Sequence, residues 1–141
     1  MTISQLSVFA ENKAGAICEV TNTLAEAGID IRAFNVAETK DFGILRLIVN
    51  DAEKAKKALA EKECVVSITD VIGVVVPDAP GGLAKVLSAV NGINVEYIYA
   101  FVSVSGSHAY VVLRVDDNDA AIKVLKDAGF NLLSDDIVKK M

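Results

Sequence analysis

Two short turns of similar composition, 66 residues apart, are the candidates for a binding site in this sequence. One is Asn12–Ala16 (NKAGA) and the other is Asp78–Gly82 (DAPGG). In each, a polar residue is followed by a short segment containing Gly, which allows a sharp turn into a helix. Small side chains leave the first helical amides open, and these amides favour a carboxylate or a phosphate. The alternative is that Asn12 and Asp78 only cap their helices.

The two turns occupy equivalent places in an internal repeat that covers most of the chain. Similarity at a fixed spacing indicates that one structural unit is present more than once. The aligned segments are residues 11–20 with 77–86 and 48–59 with 114–125, both at a spacing of 66, and residues 28–36 with 92–100 at a spacing of 64.

This repeat predicts two domains, residues 1–70 and residues 71–141, in a pseudo-twofold arrangement with a site between the halves. Each domain is close to the size at which a lone hydrophobic core is only marginally stable. The segment Ser67–Asp70 leads directly into the second repeat. Because almost no linker separates the halves, we expect the two domains to be in contact.

The apolar pattern predicts the element order βαββαβ in both repeats. Such units, with antiparallel sheets and helices on one face, form a ferredoxin-like α+β fold, here expected as two units side by side. In the first repeat the predicted strands are Leu6–Ala10, Ile29–Thr39, Ile44–Val49 and Cys64–Ile68, and the helices are Gly15–Ala27 and Asp51–Lys62. In the second, the strands are Val71–Val76, Ile93–Val104, Tyr110–Val115 and one beginning at Asn131, and the helices are Pro80–Val90 and Asn118–Ala128.

Alternation along the strands sorts the side chains between two sheet faces. Those expected to face the helices are Leu45, Leu47, Val49, Val111, Leu113 and Val115. Those expected on the opposite face are Ile44, Arg46, Ile48, Tyr97, Tyr99, Phe101, Tyr110, Val112 and Arg114. An opposite face with so many apolar side chains is expected to be covered.

The aromatic residues of that opposite face allow three interpretations. They form a sheet or subunit interface, or a tyrosine lines a ligand pocket, or they are a stacking platform for single-stranded RNA. The net charge of −5 and the lack of a basic cluster disfavour nucleic acid as a partner. The same composition disfavours binding to an anionic membrane surface.

The two turns, the βαββαβ order, and the segments GIDI (28–31) and GINV (92–95) together resemble the ACT domain family over nearly the whole chain. This resemblance implies a tandem pair of regulatory modules that bind small ligands, most often amino acids, where units pair. It implies side-by-side pairing of units into an eight-stranded sheet. As a separate expectation, the chain forms a homo-oligomer, a homodimer. The resemblance also implies a regulated enzyme as a possible partner.

The resemblance places the ligand against the turn and the beginning of the second strand of each repeat. The implied ligand-binding residues are Asn12, Ala14, Gly15, Ala16, Ile17, Asp30 and Ile31 in the first repeat, and Asp78, Pro80, Gly81, Gly82, Leu83, Asn94 and Val95 in the second.

Six of the implied residues have a physical role in holding a zwitterion. In the first repeat, the amides of Ala16 and Ile17 would hold an α-carboxylate, and Asp30 or backbone carbonyls would accept from the α-amino group. In the second repeat, the corresponding amides belong to Gly82 and Leu83, and the acceptor is Asn94.

The sequence departs from the family's pattern at two of these positions. Ala14 stands where the family often has proline, and Asp78 brings a negative charge that would repel a nearby carboxylate. The two sites therefore need not be equivalent, and one of them need not bind.

No catalytic signature accompanies the turns: GxSxG, P-loop, HExxH and paired catalytic carboxylates are all missing from the sequence. Neither turn has the arginine that acylphosphatase-like catalysis on this topology would need. His108, the single histidine, is in the segment SGSH and is interpreted as a solvated loop residue. We expect no enzyme activity, no cofactor and no metal site.

The two cysteines and the first residues indicate the cellular setting. Cys18 and Cys64 have no metal or CxxC spacing and are expected to be small buried core residues. The first residues lack the features of a signal peptide or a membrane span, so a cytoplasmic location is expected.

Two hypotheses of function follow. In the first, the chain is a sensor or regulatory protein that binds a free amino acid between its two repeats. In the second, it is a protein–protein interaction module or regulatory subunit whose ligand site is vestigial. A ligand-dependent gain in thermal stability would distinguish the first from the second.

Overall fold

Six strands and five helices are present in the part of the chain that the structure, a computed structural model, describes: residues 1–102, 106 and 108–141. In chain order they are β1 (Ile3–Glu11), α1 (Ala16–Glu26), β2 (Ile31–Glu38), β3 (Phe42–Val49), α2 (Ala52–Glu61), β4 (Val65–Pro77), α3 (Gly82–Ala89), β5 (Val95–Ala100), β6 (His108–Val115), α4 (Asn118–Asp127) and α5 (Asp135–Lys140). They divide into an N-terminal unit, Ser4–Thr69 with Val138–Met141, and a C-terminal unit, Met1–Ile3 with Asp70–Ile137.

In the N-terminal unit, β3 pairs antiparallel with β1 on one side and with β2 on the other. The core lies between these strands and helices α1 and α2, because apolar side chains alternate along the strands and recur at helical spacing. Its buried members are Leu6, Val8, Val20, Leu24, Ile29, Leu45, Leu47, Val49, Ala55 and Leu59.

The C-terminal unit repeats this arrangement, with β6 paired antiparallel to β4 and to β5. Its core, between these strands and helices α3 and α4, consists of Ile72, Val74, Val76, Val86, Val90, Val111, Leu113, Val115, Ala121, Leu125 and Leu132. The fourth strand is reduced to a bridge between Val74 and Leu132. The prediction of ferredoxin-like α+β units with antiparallel sheets and helices on one face is confirmed.

The two sheet faces carry the predicted side chains. All six residues expected to face the helices belong to the two cores. On the opposite face, Ile48 and Val112 are wholly buried, so this face is covered as expected. Tyr99 and Phe101 keep only 8% and 9% of their surface exposed. They offer little area on which a base could stack, which argues against the RNA platform.

Several elements differ from the prediction. The two strands expected at Cys64–Ile68 and Val71–Val76 form one continuous strand, β4, and helix α5 was not predicted. The predicted strand Ile93–Val104 ends at Ala100, and residues 103–105 and 107 of its hairpin lie outside the described part. His108 is exposed as predicted, but it is the first residue of β6 and pairs with Pro77.

The expectation for the cysteines was wrong for Cys18, which lies on the exposed side of α1. Cys64 is half-buried and packs against the N-terminal core. The apolar face of α1 is formed by Val20 and Leu24 instead. Among the described residues, every helix is too short or too polar to cross a membrane.

Helices α1, α2 and α4 are each followed by a residue in the left-handed conformation. Gly28 has a φ of 71° and Gly129 has a φ of 88°. Glu63 occupies the place after α2 with a φ of 61°, where a side chain costs free energy that glycine avoids.

Replacing Glu63 with glycine is therefore expected to stabilise the protein by about 1 kcal/mol. The gain should appear in the free energy of unfolding measured by urea denaturation. Gly129→Glu is the matched control, since it introduces the same strain at the equivalent turn and should destabilise by a similar amount. A Glu63→Gly variant less stable than the parent would contradict the assignment of strain to this residue.

Candidate functional site

The two candidate turns have the same backbone conformation. Gly15 and Gly81 both have a φ of 85°, and each precedes the first residue of its helix. The hydrogen bonds also repeat: the amide of Ala16 donates to the Lys13 carbonyl, and the amide of Gly82 donates to the Ala79 carbonyl. A positive φ is readily adopted only by glycine, which explains the glycine in both turns.

These bonds change which amides are available to a ligand. The amides of Ala16 and Gly82, expected to be open, are already used within their turns. The amides of Ile17 and Leu83 have no backbone acceptor within the described part of the chain. One amide of each predicted pair is thus free to bind an anion at the positive end of its helix.

Neither polar turn residue caps its helix, so the capping interpretation was wrong. The Asn12 side chain instead donates to the carbonyls of Thr39 and Lys40, at 3.5 Å and 3.3 Å. It thereby fastens the first turn to the β2–β3 hairpin. Asp78 is exposed and has no side-chain partner among the residues described.

A small cavity of about 90 Å³ lies beside the first turn. Its lining residues are Ala10, Glu11, Asn12, Lys13, Ile17, Val36, Glu38, Gly43 and Leu45. Val36 and Leu45 are among its apolar lining residues. Its charged groups are the ammonium of Lys13 and the carboxylates of Glu11 and Glu38. Such a mixture of apolar wall and opposite charges suits a small zwitterion.

The charges at the rim are free to exchange partners. Lys13 Nζ is 3.3 Å from a Glu11 carboxylate oxygen, but both side chains are about two-thirds exposed, at 64% and 65%. An ion pair this exposed contributes little to stability. Lys13 can therefore turn to an incoming carboxylate at little cost.

The beginning of β2 does not come near the first turn within this unit. Glu11 pairs with Phe42, and Glu38 pairs with Gly43, so the ends of β1 and β2 lie at the same end of the sheet. Asp30 and Ile31 are at the other end of β2, about 23 Å away for a strand of this length. The same register in the C-terminal unit separates Asn94 and Val95 from the second turn.

Asp30 already has partners where the structure places it. Its carboxylate forms an ion pair with Arg32, and its amide donates to Asn50 Oδ1 at 3.0 Å. Asn94, its counterpart, accepts from the Asp116 amide through its backbone carbonyl, and its side chain is exposed.

The second turn is closely packed where the first is open. A Cβ atom added to Gly82 would lie 2.3 Å from the Pro77 carbonyl oxygen, so the helix start touches the preceding strand. The remaining predicted residues of this turn, Pro80, Gly81 and Leu83, are exposed.

Only Asn12 and Ile17 of the predicted site residues line this cavity. Seven lining residues were not predicted: Ala10, Glu11, Lys13, Val36, Glu38, Gly43 and Leu45. The topology offered a signal for Val36 and Glu38. Since β1 and β2 are joined through a helix in a split βαβ unit, they run parallel, and the residues after β1 meet the end of β2. A larger groove of about 580 Å³ runs along α1 to the turn Lys62–Cys64, but of the predicted residues it contacts only Ala16.

The chain matches the sequence model of a protein family described as an ACT domain pair, over residues 1–141. It is similar to the crystal structure of protein BT0572 from Bacteroides thetaiotaomicron, with a TM-score of 0.91 and 43% identity, covering 100% of this chain and 98% of that one. No curated protein sequence matches it.

Two more distant structures share the fold. The ligand-free regulatory subunit of aspartate kinase from Thermus thermophilus has a TM-score of 0.64 and 22% identity, covering 89% of this chain and 92% of that one. E. coli aspartokinase III in complex with lysine and aspartate has a TM-score of 0.52 and 17% identity, covering 91% of this chain and 31% of that one.

Proposed function

Because this chain belongs to the family of ACT domain pairs, we propose that it is a regulatory protein whose N-terminal unit binds a free amino acid. Such pairs are regulatory rather than catalytic modules. The observation that carries the proposal is the cavity beside the first turn, where an open helical amide, an ammonium group and carboxylates surround an apolar wall.

The groups in this cavity match the parts of an amino acid. The amide of Ile17 and the ammonium of Lys13 would hold the α-carboxylate. Glu38 would accept from the α-ammonium group, and Val36 and Leu45 would contact the side chain. A volume of about 90 Å³ suits a small side chain.

The second turn is a weaker site for the same ligand. Asp78 would face the carboxylate with a like charge. The contact between Gly82 and Pro77 also leaves that turn less able to adapt. We therefore propose one amino acid per chain, bound at the first turn.

Regulation requires that the ligand prefer one of two states of the protein. Binding would order the first turn, which Asn12 fastens to the β2–β3 hairpin, and a partner enzyme would respond to the ordered state. A cytoplasmic location and a homodimer complete the proposal, and the two free cysteines fit a reducing compartment.

A thermal-shift screen against the twenty amino acids at millimolar concentration tests this function. We expect a rise of several degrees for a few related small amino acids, because a ligand that binds only the folded state stabilises it. A flat response from folded, ligand-free protein would overturn the proposal.

Replacing Gly15 with valine is expected to weaken binding of the stabilising amino acid at least tenfold. Its φ of 85° is unfavourable for a β-branched residue, so the turn would change shape and misplace the Ile17 amide. Isothermal titration calorimetry on the folded variant measures this loss.

Gly81→Val is the matched control, because it places the same side chain at the same φ in the other turn. It should cost similar stability and leave the affinity unchanged. Full affinity in folded Gly15→Val, or equal losses in both variants, would refute the assignment to the first turn.

One observation favours the alternative of an interaction module. Ile17, Phe34 and Val36 keep 44%, 51% and 43% of their surface exposed. In the described part of the N-terminal unit, β2 pairs only with β3, so its other edge is available to a second chain. Under this alternative the thermal-shift screen gives no response.

A further inference from the structure

One buried guanidinium group holds the last helix, α5, to the N-terminal unit. Arg32 is 9% exposed, and its Nε and Nη2 atoms donate to the carbonyls of Val138 and Lys139 at 3.3 Å and 3.4 Å. Its Nη1 atom is paired with Asp30. Arg32 thus neutralises the negative end of the helix and donates to two of its last carbonyls. The Val138 carbonyl also accepts from the Met141 amide.

A β-bulge directs Arg32 to this position. The register of β2 against β3 shifts between Ile31 and Ala33, which leaves Arg32 unpaired in the sheet and turns it towards the helix. The C-terminal unit has the same bulge at Glu96, which pairs with Arg114 at 3.3 Å. The contact to a helix end is therefore particular to the first repeat.

Helix α5 has little stability of its own. It has six residues, and isolated helices of that length do not persist in water. Its N-terminal turn is capped by Ser134 Oγ, which accepts from the Ile137 amide. Two further contacts attach it: Val138 is 2% exposed, and Arg32 donates to two of its carbonyls.

We propose that α5 is a strap that releases from the N-terminal unit separately from the rest of the fold, and that the pair Asp30–Arg32 is its latch. The Asp30 side chain is 66% exposed, so a cationic group from solution or from a partner can reach it. When Asp30 is neutralised or occupied, Arg32 loses the anchor that aims it at the two carbonyls. Release then uncovers Arg32 and the contact surface of Val138.

Hydrogen exchange measured by mass spectrometry on the full chain tests the latch. In Asp30→Asn and in Arg32→Met, we expect amides in residues 137–141 to exchange about tenfold faster, since hydrogen bonds from a charged donor are removed. Amides of β2 and β3 should keep their protection. Asp30→Asn changes an exposed side chain and decides the result if Arg32→Met does not fold.

Glu96→Gln is the control, because it breaks the ion pair of the residue at the corresponding bulge in the second repeat and should leave exchange in α5 unchanged. Unchanged exchange in α5 in both latch variants would overturn the proposal. So would acceleration of β2 and β3 to the same degree as α5, because the helix would then not move separately. These experiments contain no amino acid, so their result is independent of the proposed function.

Discussion

Replacing Gly82 with alanine is expected to destabilise the protein by about 3 kcal/mol. The added Cβ would lie 2.3 Å from the Pro77 carbonyl oxygen and 3.1 Å from Val76 Cγ1, and the carbonyl belongs to the backbone of a paired strand. Neither the helix start nor the strand can move without losing hydrogen bonds. Thermal unfolding should show a midpoint lower by roughly 10 °C.

Ala16→Gly is the control for this effect, since Ala16 is the counterpart of Gly82 and already carries the methyl group. There the hydrogen bond that closes the turn is 3.3 Å long, compared with 3.0 Å at Gly82, so the first turn is slightly looser. The control should cost no more than about 1 kcal/mol, the ordinary helix penalty of glycine. A Gly82→Ala variant as stable as the parent would show that the second turn can open.

The features that could be predicted from the sequence depend on short segments. Alternation along β3 and β6 identified the residues that face the helices, because a strand that covers a core must present every second side chain to it. Gly28 could be predicted to end α1 because its place after the apolar pattern demands a positive φ. Because the two units are equivalent in the repeat, the residues assigned to the helix-facing side of β3 also predicted those of β6.

The features that could not be predicted depend on residues far apart in the chain. The Asn12 side chain binds carbonyls 27 and 28 residues away, and Arg32 binds a helix more than 100 residues away. Neither partner is indicated by the local pattern, in which both residues are simply polar. The exposed position of Cys18 was missed because one residue's shift in helical phase changes the face on which a side chain lies.

In the candidate site, too, the features set by a short segment could be predicted and those set by distant residues could not. The glycine turn and its free amide follow from local conformation and could be predicted from the sequence. The wall formed by Val36 and Glu38 depends on the direction of β2 relative to β1, which only the register fixes. The resemblance to a family supplied residues at the beginning of β2, which within one unit lie at the opposite end of the sheet.

Replacing Leu47 or Leu113 with alanine is expected to cost about 3 kcal/mol in either case. The two residues are equivalent in the repeat, and both are wholly buried in the core of their own unit. Strand β4 contributes to both cores, with Ile68 packed in one and Ile72 in the other. Loss of one core therefore frays the strand that completes the other, and we expect a single unfolding transition in each variant.

Differential scanning calorimetry with denaturant unfolding measures both the cost and the number of transitions. Val65→Ala is the control on the same strand, since Val65 is 65% exposed and its truncation should change stability by less than about 0.5 kcal/mol. Two separated transitions, with only the one belonging to the altered core shifted, would show that the units unfold independently. In that case the continuity of β4 would not couple them, and a ligand bound by the N-terminal unit would not stabilise the C-terminal core.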